Sequence, residues 1–275
     1  MAGLGSGGLG LAVGWPAAQA ATFDCVINPS MTLKIGSPVS TTLQSVEVQR
    51  GDHVTHDQVI ARLESTVQAA DVAVDEARAA NTADVVSHGA KLEFAQAEDS
   101  RGEKLLENNN IPRQKVDELR TNLRVAQEDM QIAVLNHRLV ELDLARSRAL
   151  AEQRIIRSPI DAVVVQRLLG PGEFVHQDSQ IVELAAIDPL NVEVYPPVRY
   201  FAAIKPGMKG TVQPDAPVNQ VYDATVTIVD HVFDAASGTF GVRLALPNPA
   251  GLLPAGLRCR VTLDTGDDPA NSQIR

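Results

Sequence analysis

Positive charge is in short supply in this chain. Its 275 residues carry 24 Lys and Arg against 34 Asp and Glu, a formal net charge of −10. Nucleic-acid binding depends on clustered cations that displace counterions from phosphate, so that class is excluded. Aromatic residues amount to 4%, which leaves few flat surfaces on which bases could stack. Beyond the N-terminus no run of about 20 uninterrupted apolar residues occurs, so no internal membrane-spanning helix is expected. Cysteine is confined to Cys25 and Cys259, too few for a disulfide framework and wrongly spaced for zinc. Two buried free thiols are the simpler expectation, and a disulfide requires both to lie on neighbouring strands. Thr22-Phe23-Asp24 before Cys25 is not the small-apolar sequence that lipid attachment requires. Nucleophile elbows, phosphate loops and recognisable pairs of carboxylates are also missing, which argues against a hydrolase.

What is present starts with a leader. MAGLGSGGLGLAVGWPAAQAAT holds a small-apolar run, Leu4 to Val13, followed by Ala18-Gln19-Ala20. That is the A-x-A pattern of a signal-peptidase site, so residues 1–20 are taken as an export signal, although no Lys or Arg precedes the run. The rest has a hydrophobic content of 44%, enough for packed cores.

A short phrase is written twice. VEVQRGDHVTHDQVIARLES (46–65) and VVVQRLLGPGEFVHQDSQIVELA (163–185) superimpose at an offset of 121, with Gly51 on Gly172, Asp52 on Glu173 and Val54 on Val175. Asp57, Ile60 and Leu63 fall likewise on Asp178, Ile181 and Leu184. A glycine at a tight turn, an acid, a Val and spaced aliphatics are strand–turn–strand chemistry. Gly51 and Gly172 are therefore the expected turn glycines of two β-halves that bury their apolar faces on each other.

Between the copies, residues 66–153 contain one proline, Pro112, and abundant Ala, Leu, Glu, Gln and Arg. Val116, Leu119, Leu123, Ala126, Met130, Ala133, Val140, Leu144 and Ala151 recur in alternating steps of three and four, with His137 and Ser147 at two further seam positions. That is a heptad seam. In the first half the expected seam is Ala79, Ala83, Val86, Ala90, Phe94, Ala97 and Leu105. The break falls at Glu107-Asn108-Asn109-Asn110-Ile111-Pro112, with Pro112 fitting the first turn of the second helix. The spacing thus predicts two antiparallel helices of about 42 residues, roughly 60 Å long. Its 11 basic and 16 acidic residues describe a solvated surface.

After Ile187-Asp188-Pro189 the pattern changes to short strands at 190–195, 209–213, 221–233, 239–246 and 257–263, with a helical candidate from Val198 to Ile204. These fit a compact β-barrel, to which Phe23–Ile27 could add a strand. The fold expected is α+β: a mainly-β lipoyl-like sandwich (31–65 and 154–186) interrupted by the coiled-coil hairpin (66–153), plus a barrel (187–264). Residues 21–30 form a strand joining the barrel, and 265–275 form a disordered tail.

This order resembles that of the periplasmic adaptor, or membrane-fusion, proteins of tripartite efflux and secretion systems. CVINPSMTLKIGSPVSTTLQSVEVQRGDHVTHDQVIARLES resembles the family's entry into its first lipoyl half, and IIRSPIDAVVVQRLLGPGEFVHQDSQIVELA its return. FDAASGTFGVRLALPNPAGLLPAGLRCRVTL resembles the closing barrel strands. The resemblance implies a non-enzymatic periplasmic protein without cofactor, of the resistance–nodulation–division type. Its implied partners are an inner-membrane transporter, an outer-membrane channel and further copies of itself in a ring, a hexamer in the complex. It also implies channel docking at the hairpin tip through an Arg-x3-Leu-x6-Ser pattern. Arg101 and Leu105 match it, and Pro112 stands where the Ser would be. Alternatively, Arg101 is an ordinary solvated residue and Leu105 a seam residue. Many members carry a fourth, membrane-proximal domain, for which too few residues follow the barrel; the transporter contact would then fall mainly on the barrel.

Two other readings compete. A biotin or lipoate carrier would present a Lys at a tight turn between its halves, and neither half shows Met-Lys-Met or Asp-Lys-Ala. A metal-binding adaptor of a cation-efflux system would use His53, His56 and His176, which no Cys, Met or carboxylate cluster joins.

Overall fold

The computed structural model describes residues 20–218 and 220–265. The export-signal reading of residues 1–19 and the tail reading of 266–275 lie outside the described residues. In chain order the elements are β1 (Ala20–Gly36), β2 (Thr41–Val46), β3 (His53–Val54), β4 (Val59–Leu63), α1 (Thr66–Ala79), α2 (Ala83–Glu107) and α3 (Arg113–Glu152). There follow β5 (Ile155–Arg157), β6 (Ala162–Arg167), β7 (Phe174–Val175), β8 (Gln180–Val194), a 3-10 turn (Val198–Tyr200), β9 (Lys209–Pro214), β10 (Tyr222–Asp234), β11 (Thr239–Leu246) and β12 (Leu257–Asp264). The α+β class holds, with a sandwich, a barrel and a long helical hairpin.

The two copies of the repeated phrase clasp each other. Gly51 donates its N–H to the Val164 carbonyl at 2.8 Å, and Gly172 donates to the Leu43 carbonyl at 2.7 Å. In return Val164 donates to Asp52 and Leu43 to Glu173, at 2.9 and 2.8 Å. Each turn is therefore hydrogen-bonded into a strand of the other half, and Leu43 and Val164 are themselves one repeat offset apart. Both glycines have positive φ, 93° and 87°, which a side chain would strain. The acids close the turns: Asp52 accepts from Gln49 N–H at 2.7 Å and Glu173 from Gly170 N–H at 2.8 Å. The repeat also extends to Ser37 and Ser158, buried hydroxyls that each donate to a carbonyl two residues on. Leu43, Ile60, Leu63, Val164, Ile181 and Leu184 fill the core between β5-β4-β2-β7 and the β1/β8/β6/β3 face. Each such side chain contributes roughly 1.5–3 kcal/mol on burial.

The barrel closes because β1 pairs with both β12 and β8 in the order β1-β12-β9-β10-β11-β8. Alternation along the strands puts Ile27, Leu190, Val212, Phe240, Leu244 and Val261 inside. Cys25 lies opposite Cys259 in the β1–β12 ladder, with Cα atoms 4.8 Å apart, and the two form a disulfide. The expectation of free thiols is corrected: the barrel's first and last strands are neighbours, which a sequence separation of 234 conceals. A second correction concerns residues 187–189. β8 runs unbroken through them, and they bulge opposite Ser30, between the pairs Met31↔Ala186 and Pro29↔Leu190. β1 and β8 thus belong to sandwich and barrel alike. The helical candidate 198–204 is one 3-10 turn at Val198–Tyr200.

The hairpin departs from expectation in its first arm. Instead of one helix there are two, α1 and α2, with residues 80–82 between them. Asn81 Oδ1 accepts the Ala83 N–H at 3.0 Å and Asn81 N–H bonds the Arg78 carbonyl at 3.1 Å. Such local bonds compete with helix continuation. The seam of α3 lies where the heptads put it, with Val116, Ala133 and Ser147 buried. The first-arm seam does not. Val86 and Phe94 are 66% and 65% exposed, and Ala83, Ala90, Ala97 and Leu105 are exposed too. The residues turned towards α3 are Val85, His88, Leu92, Ala95, Asp99, Gly102 and Leu106, together with Asp75 on α1.

Candidate functional site

The hairpin tip is built by helix-end chemistry. Asn109 takes φ 60°, the left-handed conformation that ends helices and that Asn tolerates better than most residues. Its N–H bonds the Leu106 carbonyl at 2.8 Å, and Asn110 N–H bonds Leu105 O at 2.9 Å. This pair of bonds is a Schellman closure, which satisfies carbonyls that α2 would otherwise leave open. Asn108 adds a side-chain bond to the Lys104 carbonyl at 2.9 Å. Pro112 then stands at the N-cap of α3, with φ −66° and ψ 149°. It precedes the first helical turn rather than belonging to it, a one-residue correction. Its carbonyl accepts from Lys115 N–H at 3.0 Å, and its missing N–H costs nothing there.

Close approach of the arms below the tip depends on Gly102. A Cβ there would lie 2.5 Å from Leu119 Cδ1. Just beside it Arg120 reaches across to Glu103 at 2.9 Å. That hydrogen bond, followed by the Glu103 charge, holds the Arg120 guanidinium above its usual pKa.

Arg101 and Leu105 lie one turn apart on α2, hence on one face. Leu105 is 43% exposed and outside the seam, which Leu106 occupies. The Arg101 side chain is exposed and ion-paired to Glu98. Sequence reasoning missed Glu98, whose signal was an acid three residues before the Arg, and Gly102, whose signal was a glycine inside a helical pattern. The tip therefore offers a cation held on its own helix, an apolar knob and a polar Asn-rich cap. None of these is a nucleophile with a base; the arrangement is suited to contact.

Gly51 and Gly172 are some distance in the chain from this tip and sit at the clasped turns of the sandwich. The three turn histidines are not brought together by their contacts. His53 lies near Gly251, His56 donates its N–H to Asp161 at 2.7 Å, and His176 packs edge-on against Phe174. Among the described residues no group of three or more His, Cys, Asp or Glu is arranged to hold a metal ion. Nor is any described helix long and apolar enough to cross a membrane.

Residues 31–186 match the family model of the CzcB-like barrel-sandwich hybrid domain, and residues 190–267 that of the CusB-like beta-barrel domain. A UPF0194 membrane protein from the asrC 5′ region of Acidithiobacillus ferridurans is 27% identical over 147 residues, 46% of this chain. The match spans 43% of that relative's length. Among solved structures, MacA from Actinobacillus actinomycetemcomitans aligns with a TM-score of 0.71 at 19% identity, over 90% of this chain and 79% of its own. The membrane fusion protein Spr0693 from Streptococcus pneumoniae R6 aligns with a TM-score of 0.55 at 12% identity, over 90% of this chain and 100% of its own. At these identities the structural likeness speaks to fold alone.

Proposed function

This chain belongs to the CzcB-like barrel-sandwich hybrid family, the membrane-fusion or periplasmic adaptor proteins of RND-type efflux systems, and from that membership we propose that it links an inner-membrane transporter to an outer-membrane channel. The family is non-enzymatic and periplasmic. The observation that carries the reading is the hairpin itself: α3 alone has 40 residues, roughly 60 Å of helix, rooted between the two clasped β-halves. A spike of that length spends helix on reach rather than on a globular core. Copies assemble side by side through the β-modules as a ring, six in the complex, with the hairpins forming a tube for small molecules. The Cys25–Cys259 disulfide fits an oxidising compartment, and an export signal at residues 1–20 would deliver the chain there.

In this reading Arg101 supplies charged hydrogen bonds to the channel and Leu105 a hydrophobic contact, with Pro112 closing the turn between them and α3. The inner-membrane partner meets the barrel. The test is the double substitution Arg101→Ala with Leu105→Ala, assayed by drug efflux and resistance in cells. Efflux is expected to fall to the level of a deletion strain while circular dichroism and thermal unfolding stay close to those of the parent. Unchanged resistance rejects the docking role. Crosslinking from the tip and from the barrel, followed by mass spectrometry, identifies the two partners. Recovery of the same protein from both positions contradicts the bridging arrangement.

A further inference from the structure

The sandwich and the barrel keep separate cores, one around Leu43, Ile60 and Val164, the other around Leu190, Phe240 and Val261. The β1–β8 ladder joins them, and it is interrupted at the joint. Ile187, Asp188 and Pro189 stand opposite the single residue Ser30, between the pairs Met31↔Ala186 and Pro29↔Leu190. A bulge of this kind bends a strand and takes its backbone groups out of the ladder. Crevices open beside it. One of about 340 Å³ lies between His53 and Asp161 of the sandwich and Asn248 and Gly251 of the barrel. Another of about 480 Å³ is lined by His56 and Pro159 of the sandwich and by Ser30 and Asp188 of the joint. The modules are not packed face to face here, which leaves the joint room to bend.

The loop after β11 crosses this joint. Asn248 in that loop is 6% exposed, and all its polar groups are engaged. Towards the bulge, its N–H donates to Asp188 Oδ1 at 2.8 Å and its Nδ2 to the Ile187 carbonyl at 3.1 Å. Towards the barrel, Nδ2 donates to the Leu253 carbonyl at 2.9 Å and Oδ1 accepts the Leu253 N–H at 3.1 Å. Its own carbonyl accepts from Gly251 N–H at 2.9 Å. Leu253 is 1% exposed and set in the barrel core, so one buried amide ties that core to the bulged residues. The same loop meets the sandwich at Gly251, where a Cβ would lie 3.4 Å from His53 Cε1. Among the described residues, the other side-chain hydrogen bonds at the bulge are Ser30 Oγ to Ala186 O and Asn191 Nδ2 to Ser30 O, both 3.3 Å. Those two stay within the ladder. Pulling the loop off the bulge strands the Ile187 carbonyl and the buried Asn248 N–H, which is costly.

We propose that Asn248 is a positioning residue that fixes the angle between barrel and sandwich, and with it the direction in which the hairpin points. The consequence for transport rests on the adaptor reading; the geometry does not. Leverage makes the angle matter. A rotation of about 10° at the joint moves the end of a hairpin roughly 60 Å long by about 10 Å, well beyond the reach of a side-chain contact at the tip.

The first test uses the isolated full chain. Its own cysteines are bonded to each other, so introduced thiols alone take a spin label. Gln166→Cys on β6 with Thr211→Cys on β9, both exposed, spans the joint; Thr211→Cys with Tyr195→Cys stays within the barrel. In the parent background each pair is expected to give one narrow distance distribution by pulsed electron spin resonance. Asn248→Leu is expected to broaden or split the first distribution and leave the second unchanged. An unchanged first distribution overturns the proposal. Broadening of both also overturns it, and makes Asn248 a residue of barrel folding only. Asp188→Ala removes the acceptor of the Asn248 N–H and is expected to broaden the first distribution. Asp188→Asn keeps an oxygen there and is expected to retain the parent width; equal widths in the two variants overturn the assigned bond. In cells, Asn248→Leu is expected to lose efflux although crosslinks from the barrel still form. Retained efflux with a broadened distribution overturns the coupling of the joint to transport. Failure of the adaptor reading shows separately, as unchanged resistance in the Arg101 and Leu105 double variant, and leaves the distance result standing.

Discussion

Gly102 shows how one missing methyl sets the geometry of the hairpin. A Cβ would press on Leu119 Cδ1 at 2.5 Å, the movable end of a side chain. Gly102→Ala gains up to about 1 kcal/mol in helix propensity and loses a similar amount to crowding, so its unfolding midpoint should shift little. Gly102→Val adds branches that Leu119 cannot avoid, and is expected to destabilise by about 1–3 kcal/mol, read by thermal unfolding. Glu64 offers a test by pH. Its carboxylate accepts bonds from the Thr66 hydroxyl first and the Thr66 N–H second, which hold its pKa below the usual carboxylate value. A depressed folded pKa means that the contribution is complete above the unfolded value and disappears as pH falls through the folded one. The first amides of α1 should therefore lose protection in acid, once exchange rates are corrected for their intrinsic pH dependence. Glu64→Gln should show that lower protection already at neutral pH and no further loss of it in acid, as hydrogen exchange followed by mass spectrometry can show.

At the scale of elements, the arms of the hairpin were unequally legible. On α3 the seam is apolar enough to be read directly from steps of three and four. On α1 and α2 the seam side carries Asp75, His88 and Asp99 while the outward side carries Val86 and Phe94, so the apolar period points away from the partner helix. Sequence patterning finds an apolar face and is silent on which of two such faces is covered first. The helix ends were clearer: three asparagines announced the tip turn, but only the positive φ of Asn109 shows which of them carries it. Arg101 and Leu105 were legible as a spacing, and Glu98 as the neighbour that holds Arg101 was not, because an acid on a charged helix carries no distinguishing mark. The repeat was legible through its glycines, and the swapped clasp was not, since hydrogen-bond partners 112 to 130 residues apart leave no local signal. Asp75 depends on the seam: it is 9% exposed and bonded to Ser147 and Arg78. Ser147→Ala removes one of those partners and should cost roughly 1–3 kcal/mol in urea unfolding. Asp75→Leu combined with Ser147→Ala should recover much of that loss.

For the whole molecule, the disulfide ties the barrel's first strand to its last. Its loop spans nearly the entire described chain, and bonds of this kind are worth about 2–4 kcal/mol. Cys25→Ser with Cys259→Ser should lose about 2–4 kcal/mol of stability and unfold at lower temperature. Reductant should lower the melting temperature of the parent and leave the double variant unmoved; equal responses would show that the bond contributes nothing to the fold. A different consequence follows from β1 and β8, whose ladder passes from sandwich to barrel with a bulge opposite Ser30. Two modules joined by a single loop can swivel, but two joined by a continuous hydrogen-bonded ribbon share one frame. A twist applied to the barrel then travels up a torsion bar with one soft point and arrives at the foot of the helices little diminished.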